Sequence, residues 1–82
     1  MLAFTDHASR RMLQRNITAE WIERVAAAPF RVEPDKTDPE LSNALLAIPE
    51  AGNKVLRVVY NPKTTPWTVI TVFFDRAERG AK

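Results

Sequence analysis

His7 is followed by Arg11 and Arg15, so an imidazole and two guanidinium groups recur at i, i+4 and i+8, the spacing that lines one flank of a helix. It is the only histidine in the chain, and any step that needs a side chain changing charge near neutral pH must use it. A second group lies in VLRVVYNPKTTPWTVITVFFDR, residues 55–76, where Arg57 interrupts an apolar run and Thr71, Asp75 and Arg76 follow. A planar guanidinium can grip two phosphate oxygens at once, and a threonine hydroxyl can hydrogen-bond the same phosphate. Together these types point to acid–base work on a phosphate ester. The plainer reading of each is also open: His7 as a surface or capping residue, Arg57 paired with Asp75 or Glu50 on a half-exposed strand, Thr71 as an ordinary β-branched residue.

Other chemistries lack their residues. There is no cysteine, so disulfides, thiolate metal sites and a cysteine nucleophile are excluded, and one histidine without cysteine makes no zinc pattern. Glycine occurs only at Gly52 and Gly80, too sparse for a phosphate-cradling loop. No cofactor is expected. Trp21 reads as core; Trp67, after Pro66 at a strand start, reads as a lid on the apolar edge or as a base-stacking platform.

The elements that must position these groups start with a helix capped by Thr5 or Asp6 and running to about Arg15, with Ala8, Met12 and, more loosely, Leu13 as its apolar stripe. Asn16, which tolerates the left-handed conformation, ends it. A second helix is capped by Thr18, carries a hydrophobic staple between Ile17 and Ile22, buries Trp21, Ile22, Val25, Ala26 and Ala28, and stops at Pro29. Phe30 to Glu33 reads as a short strand, residues 34–39 as a loop, and Leu41 to Ile48 as a strand joined through residues 49–54 to the hairpin of residues 55–76. The tail from Ala77 to Lys82 is polar.

In the hairpin, alternation puts Leu56, Val58 and Tyr60 on one side, with Ile70, Val72 and Phe74 beside them as the core face. Arg57, Thr71 and Asp75 then share the other face. The predicted order is ααββββ: an α+β fold with two N-terminal helices packed on one face of a four-stranded antiparallel sheet.

Eighty-two residues, 45% apolar and 27% charged, make one small domain spanning 1–82. Such a domain buries a little over ~60% of its unfolded surface, which leaves one thin core. The net charge of +2 is unevenly spread: residues 1–30 and 55–82 carry more basic than acidic side chains, and residues 31–54 the reverse. Basic ends fit a phosphate-binding face, and a solvated surface explains them equally well. No stretch is long and apolar enough for a targeting segment or a membrane span, and the expected setting is the cytoplasm.

FTDHASRRMLQRNIT and EWIERVAAAP, with KVLRVVYN and TVITVFFDR later, resemble the small bacterial family DUF 4258. The shared opening is His-x-x-x-Arg-Met-x-x-Arg-x-Ile, here His7, Arg11, Met12, Arg15 and Ile17, and the shared ending is Phe74, Asp75 and Arg76. Asn16 stands where the family often has glycine. That family is similar to the RelE-like and barnase-like ribonuclease toxins of toxin–antitoxin and phage-conflict systems, so the resemblance implies a metal-independent, RNA-cleaving fold. Carried onto this chain, His7 would move the proton, Arg57 with Arg11 or Arg76 would stabilise the charged phosphorane, and Thr71 would orient the phosphate. Arg11, Arg15 and Arg76 would bind substrate. Two alternatives stand beside cleavage: a module that binds RNA, DNA or a protein without turnover, and an interaction protein whose basic face meets an acidic antitoxin or phage component.

Overall fold

The computed structural model describes residues 1–78. It contains β1 (Ala3–Phe4), α1 (Asp6–Arg15), α2 (Ala19–Ala27), β2 (Arg31–Pro34), β3 (Ser42–Ile48), a 3-10 turn (Pro49–Ala51), β4 (Lys54–Asn61) and β5 (Thr68–Phe74). The fold is α+β, two helices on a five-stranded mixed sheet of order β1-β5-β4-β3-β2. The expected sheet of four antiparallel strands is therefore corrected by one strand. Ala3 and Phe4 pair in parallel with Thr68 and Val69. Two residues are too few to display an alternation, which is why β1 is invisible in the sequence.

Both helices begin at their capping threonines, and α1 ends at its capping asparagine. Thr5 accepts the Ala8 N–H at α1 and Thr18 accepts the Trp21 N–H at α2, each satisfying a donor that the first turn leaves unpaired. Asn16 ends α1 in the left-handed conformation, φ 56°, its N–H bonded to the Met12 carbonyl. Ala8 on α1, Ile22 and Val25 on α2, and Ile17 between them are buried against Ala44, Ile48, Leu56, Val58, Tyr60, Val69 and Val72. Two expected core residues are not there: Leu13 is 82% exposed and Ala28 is exposed too. Leu13 follows Met12 by one position, about 100° around the helix, and only the Ala8–Met12 stripe faces the sheet.

The hairpin register bears out most of the alternation, with one break. Leu56 pairs with Phe74, Arg57 with Phe73, Val58 with Val72 and Val59 with Thr71, but Tyr60 then pairs with Val69. Ile70 is the extra residue of a bulge, and the bulge reverses the parity of everything before it. Val69 takes the core place expected for Ile70, which is only half-buried. The face away from the helices is also apolar at its floor: Leu45, Val55 and Val59 are almost fully buried there, alternating with the core residues of their strands.

Trp67 stacks on the Tyr60 ring with centroids 4.7 Å apart, the lid arrangement rather than a free platform. The polar tail expected from Ala77 to Lys82 lies in part outside the described residues.

Candidate functional site

The Ile70 bulge decides where the histidine stands. Thr5, while capping α1, donates its hydroxyl to the Ile70 carbonyl at 3.0 Å, so the start of the helix is fastened to the extra residue of β5. Two residues into the helix, His7 Nε2 lies 3.1 Å from Thr71 Oγ1, the next residue of the strand. Eight residues later Arg15 lines a groove with Phe73, Phe74 and Arg76, so α1 runs beside β5 in the same direction. β1 pairs with β5 only at Thr68 and Val69, so among the described residues the outer edge of β5 beyond the bulge has α1, not a strand, beside it. The flank of His7, Arg11 and Arg15 follows that edge.

The groove lies where β4 begins and β5 stops, and has a volume of about 830 Å³. Arg15, Lys54 and Arg76 border it, all three exposed, and none has an ion-pair partner among the described residues. Lys54 Nζ sits 5.7 Å from the centre of the Phe74 ring, a cation–π contact that directs the amine. Gly52 and Asn53, both left-handed with φ 72° and 62°, turn the chain into β4 beneath it. Phe73, 39% exposed, also lines the groove, from the face of the sheet that it shares with Arg57.

Arg57 has a different environment. Its Nε and Nη2 each lie 2.8 Å from Asp75 Oδ2, and its Nη1 donates to Glu33 Oε1 at 3.1 Å and to Asn43 Oδ1 at 2.8 Å. Glu78 Oε2 stands 3.8 Å from Nη2 and also bonds Arg31 on β2. Asn43, 4% exposed, in turn donates to Asp35 Oδ1 at 3.0 Å. Burial works against the Arg57 charge, but the bonds to Glu33 and Asp75 outweigh it and raise the guanidinium above its ordinary value. The same bond holds the Glu33 carboxyl below the usual carboxylate range, and the Asn43 bond does so for Asp35.

Of the residues singled out in the sequence, His7 and Thr71 therefore come together, and Arg15 and Arg76 come together at the groove. Arg11, half-buried, lies between them one turn from each of His7 and Arg15. Arg57 shares the Asp75 pairing that its plainer reading foresaw, and it bonds neither His7 nor Thr71. Glu50, the other partner considered for it, is held by Arg24 at 2.8–2.9 Å, which pushes its carboxyl down to about 2. Lys54, Phe73, Glu33 and Asn43 were not singled out. Asn43 carried a signal, as a polar residue inside LSNALLAI; Lys54 and Phe73 carried none, because only the meeting of two strand ends brings both to the lining of one groove.

The architecture defines a small α+β domain with a cationic, partly aromatic edge and one imidazole seated along it. The chain belongs to the family described as Domain of unknown function (DUF4258), which it matches over residues 4–74. No curated protein and no solved structure matches it. Among the described residues no three His, Cys, Asp or Glu side chains are grouped to hold a metal ion, and no helix is long and apolar enough to cross a membrane.

Proposed function

We propose that this chain is an RNA-cleaving, toxin-like domain that uses His7 for acid–base catalysis without a metal. The observation that carries the reading is the His7–Thr71 hydrogen bond, which fixes the only imidazole at the head of the cationic edge. When Nε2–H donates to Thr71, Nδ1 is left with a free lone pair to take the proton of an RNA 2′-hydroxyl. The 2′-oxygen then bonds phosphorus, the bond to the 5′-oxygen breaks, and a proton returns to that leaving oxygen, giving a 2′,3′-cyclic phosphate. Thr71 acts here as a positioning residue, not on the phosphate directly. Arg57 is committed to Asp75, Glu33 and Asn43 of its own chain, so stabilising the phosphorane falls to Arg11, one turn from His7, with Arg15 and Arg76 holding the flanking backbone. We read the fold as a relative of the RelE-like and barnase-like ribonucleases on the same grounds, two helices set before an antiparallel meander.

A second reading follows from the engagement of Arg57: without that guanidinium the edge binds nucleic acid or an acidic protein partner, such as an antitoxin or phage protein, and turns nothing over. RNA cleavage in the presence of a chelator separates the two. Cleavage by the wild type that is lost in His7→Ala and reduced in Thr71→Val supports the enzyme. Retained binding with no cleavage by either protein would leave the module.

A further inference from the structure

Resting on the reading of the α1–β5 edge as an RNA site, we propose that the groove at the end of the sheet is a subsite for single-stranded RNA. In it Arg15, Lys54 and Arg76 hold the backbone and Phe73 stacks an unpaired base. First, the three cations converge from separate elements, α1, the start of β4 and the turn after β5, and none is neutralised by an ion pair among the described residues. The acids that share the wall, Asp75 and Glu78, are turned to Arg57 and Arg31. The groove therefore presents net positive charge although acidic residues border it.

Second, Phe73 lines the same groove as a large aromatic side chain left 39% exposed, on the sheet face opposite Lys54 and Phe74, so a strand held by the cations at the end of the sheet can lay an unpaired base on its ring. Its neighbour Phe74 is committed: it packs edge-on against Trp21, ring centroids 6.4 Å apart, and carries the Lys54 amine on its ring. Stacking on Phe73 needs an unpaired base, because in a duplex the base faces are covered by their neighbours. That requirement selects single strands over duplexes and RNA loops over stems.

Third, the distance fits a strand that passes both sites. Eight helical residues separate His7 from Arg15, on the order of 12 Å along α1. A backbone reacting at His7 continues along Arg11 into the groove, so the substrate must extend beyond the scissile bond.

Equilibrium binding tests the subsite independently of cleavage. An unstructured oligouridine, a duplex of equal length and polyglutamate are titrated against the wild type, Arg15→Gln/Lys54→Gln/Arg76→Gln, Phe73→Ala and Phe73→Leu, with circular dichroism confirming that each variant is folded. The wild type is expected to prefer oligouridine to both other probes. The triple variant should lower the slope of log K against log salt by about 2, at roughly 0.7 per phosphate contact on a single strand. Phe73→Ala and Phe73→Leu should both weaken oligouridine binding roughly tenfold while leaving duplex binding unchanged, since leucine restores apolar area but no ring. An unchanged salt slope in the triple variant, or Phe73→Leu binding oligouridine as the wild type does, overturns the subsite even if His7-dependent cleavage stands. Polyglutamate binding as tight as oligouridine overturns it in favour of an acidic protein partner. Loss of cleavage with these binding results intact sinks only the catalytic reading.

Discussion

Arg57 and Arg15 carry the same group toward the same end of one sheet and are put to opposite uses. Arg57 rises from the middle of β4, where the neighbouring strands shut out water; its side chain is 14% exposed and bonded to Asp75, Glu33 and Asn43. Arg15 stands on the outer turn of α1, exposed, beside Lys54 and Arg76. A charge inside a sheet must bring its partners with it, and once paired it has little left to offer a ligand. Charges on a helix flank or past a strand end keep water as their partner and can exchange it for phosphate. The difference moves the candidate site from the centre of the hairpin to its edge.

Removing the central charge should produce the largest effect. Arg57→Ala leaves the carboxylates of Asp75, Glu33 and Glu78 facing one another over the apolar floor of Leu45 and Val55, and should lower the unfolding free energy by about 2–4 kcal/mol in urea denaturation. A loss comparable to that of a surface substitution would erase the contrast between the two regions. Thr5→Ala should follow, at about 1 kcal/mol for the lost cap. It should also release the α1 start from the Ile70 carbonyl and slow any His7-dependent reaction, whereas Thr5→Ser should restore both.

Acid should act on the paired region and spare the edge. The carboxyls of Glu33, Asp35 and Glu50 are lowered in the folded chain, so their contribution is complete above their unfolded values, around pH 4. It is lost as pH falls through the folded values, the last part near 2 for Glu50. Urea midpoints followed downward from neutral pH should fall in that window, and Arg57→Gln should flatten the part due to Glu33. The smallest change is expected from Lys54→Gln and Arg76→Gln, whose stabilities should stay within about 0.5 kcal/mol of the wild type.

Much of the frame was legible from local chemistry. Thr5, Asn16, Thr18 and Pro29 mark the ends of both helices, and period-two alternation separates Leu56 and Val58 from Arg57. What was not legible depends on residues far apart in the chain. The Ile70 bulge arises where β5 accommodates the Thr5 cap 65 positions away, and nothing in TVITVFF marks it. The contact of Glu78 with Arg31 joins positions 47 apart, and it belongs to the long-range pairs that surround the Arg57 charge. Of the candidate site, the His7–Arg11–Arg15 flank could be read from spacing alone, while the arrival of Lys54 and Phe73 at the same groove required the fold.

The imidazole fastened at the edge of β5 is proposed as the proton carrier. Purified wild type and His7→Ala are incubated with the same single-stranded RNA in the presence of a chelator, at protein concentrations that bind it equally. Fragments ending in 2′,3′-cyclic phosphate are expected from the wild type and intact RNA from His7→Ala. Equal cleavage by the two proteins, or none by either, would contradict that role.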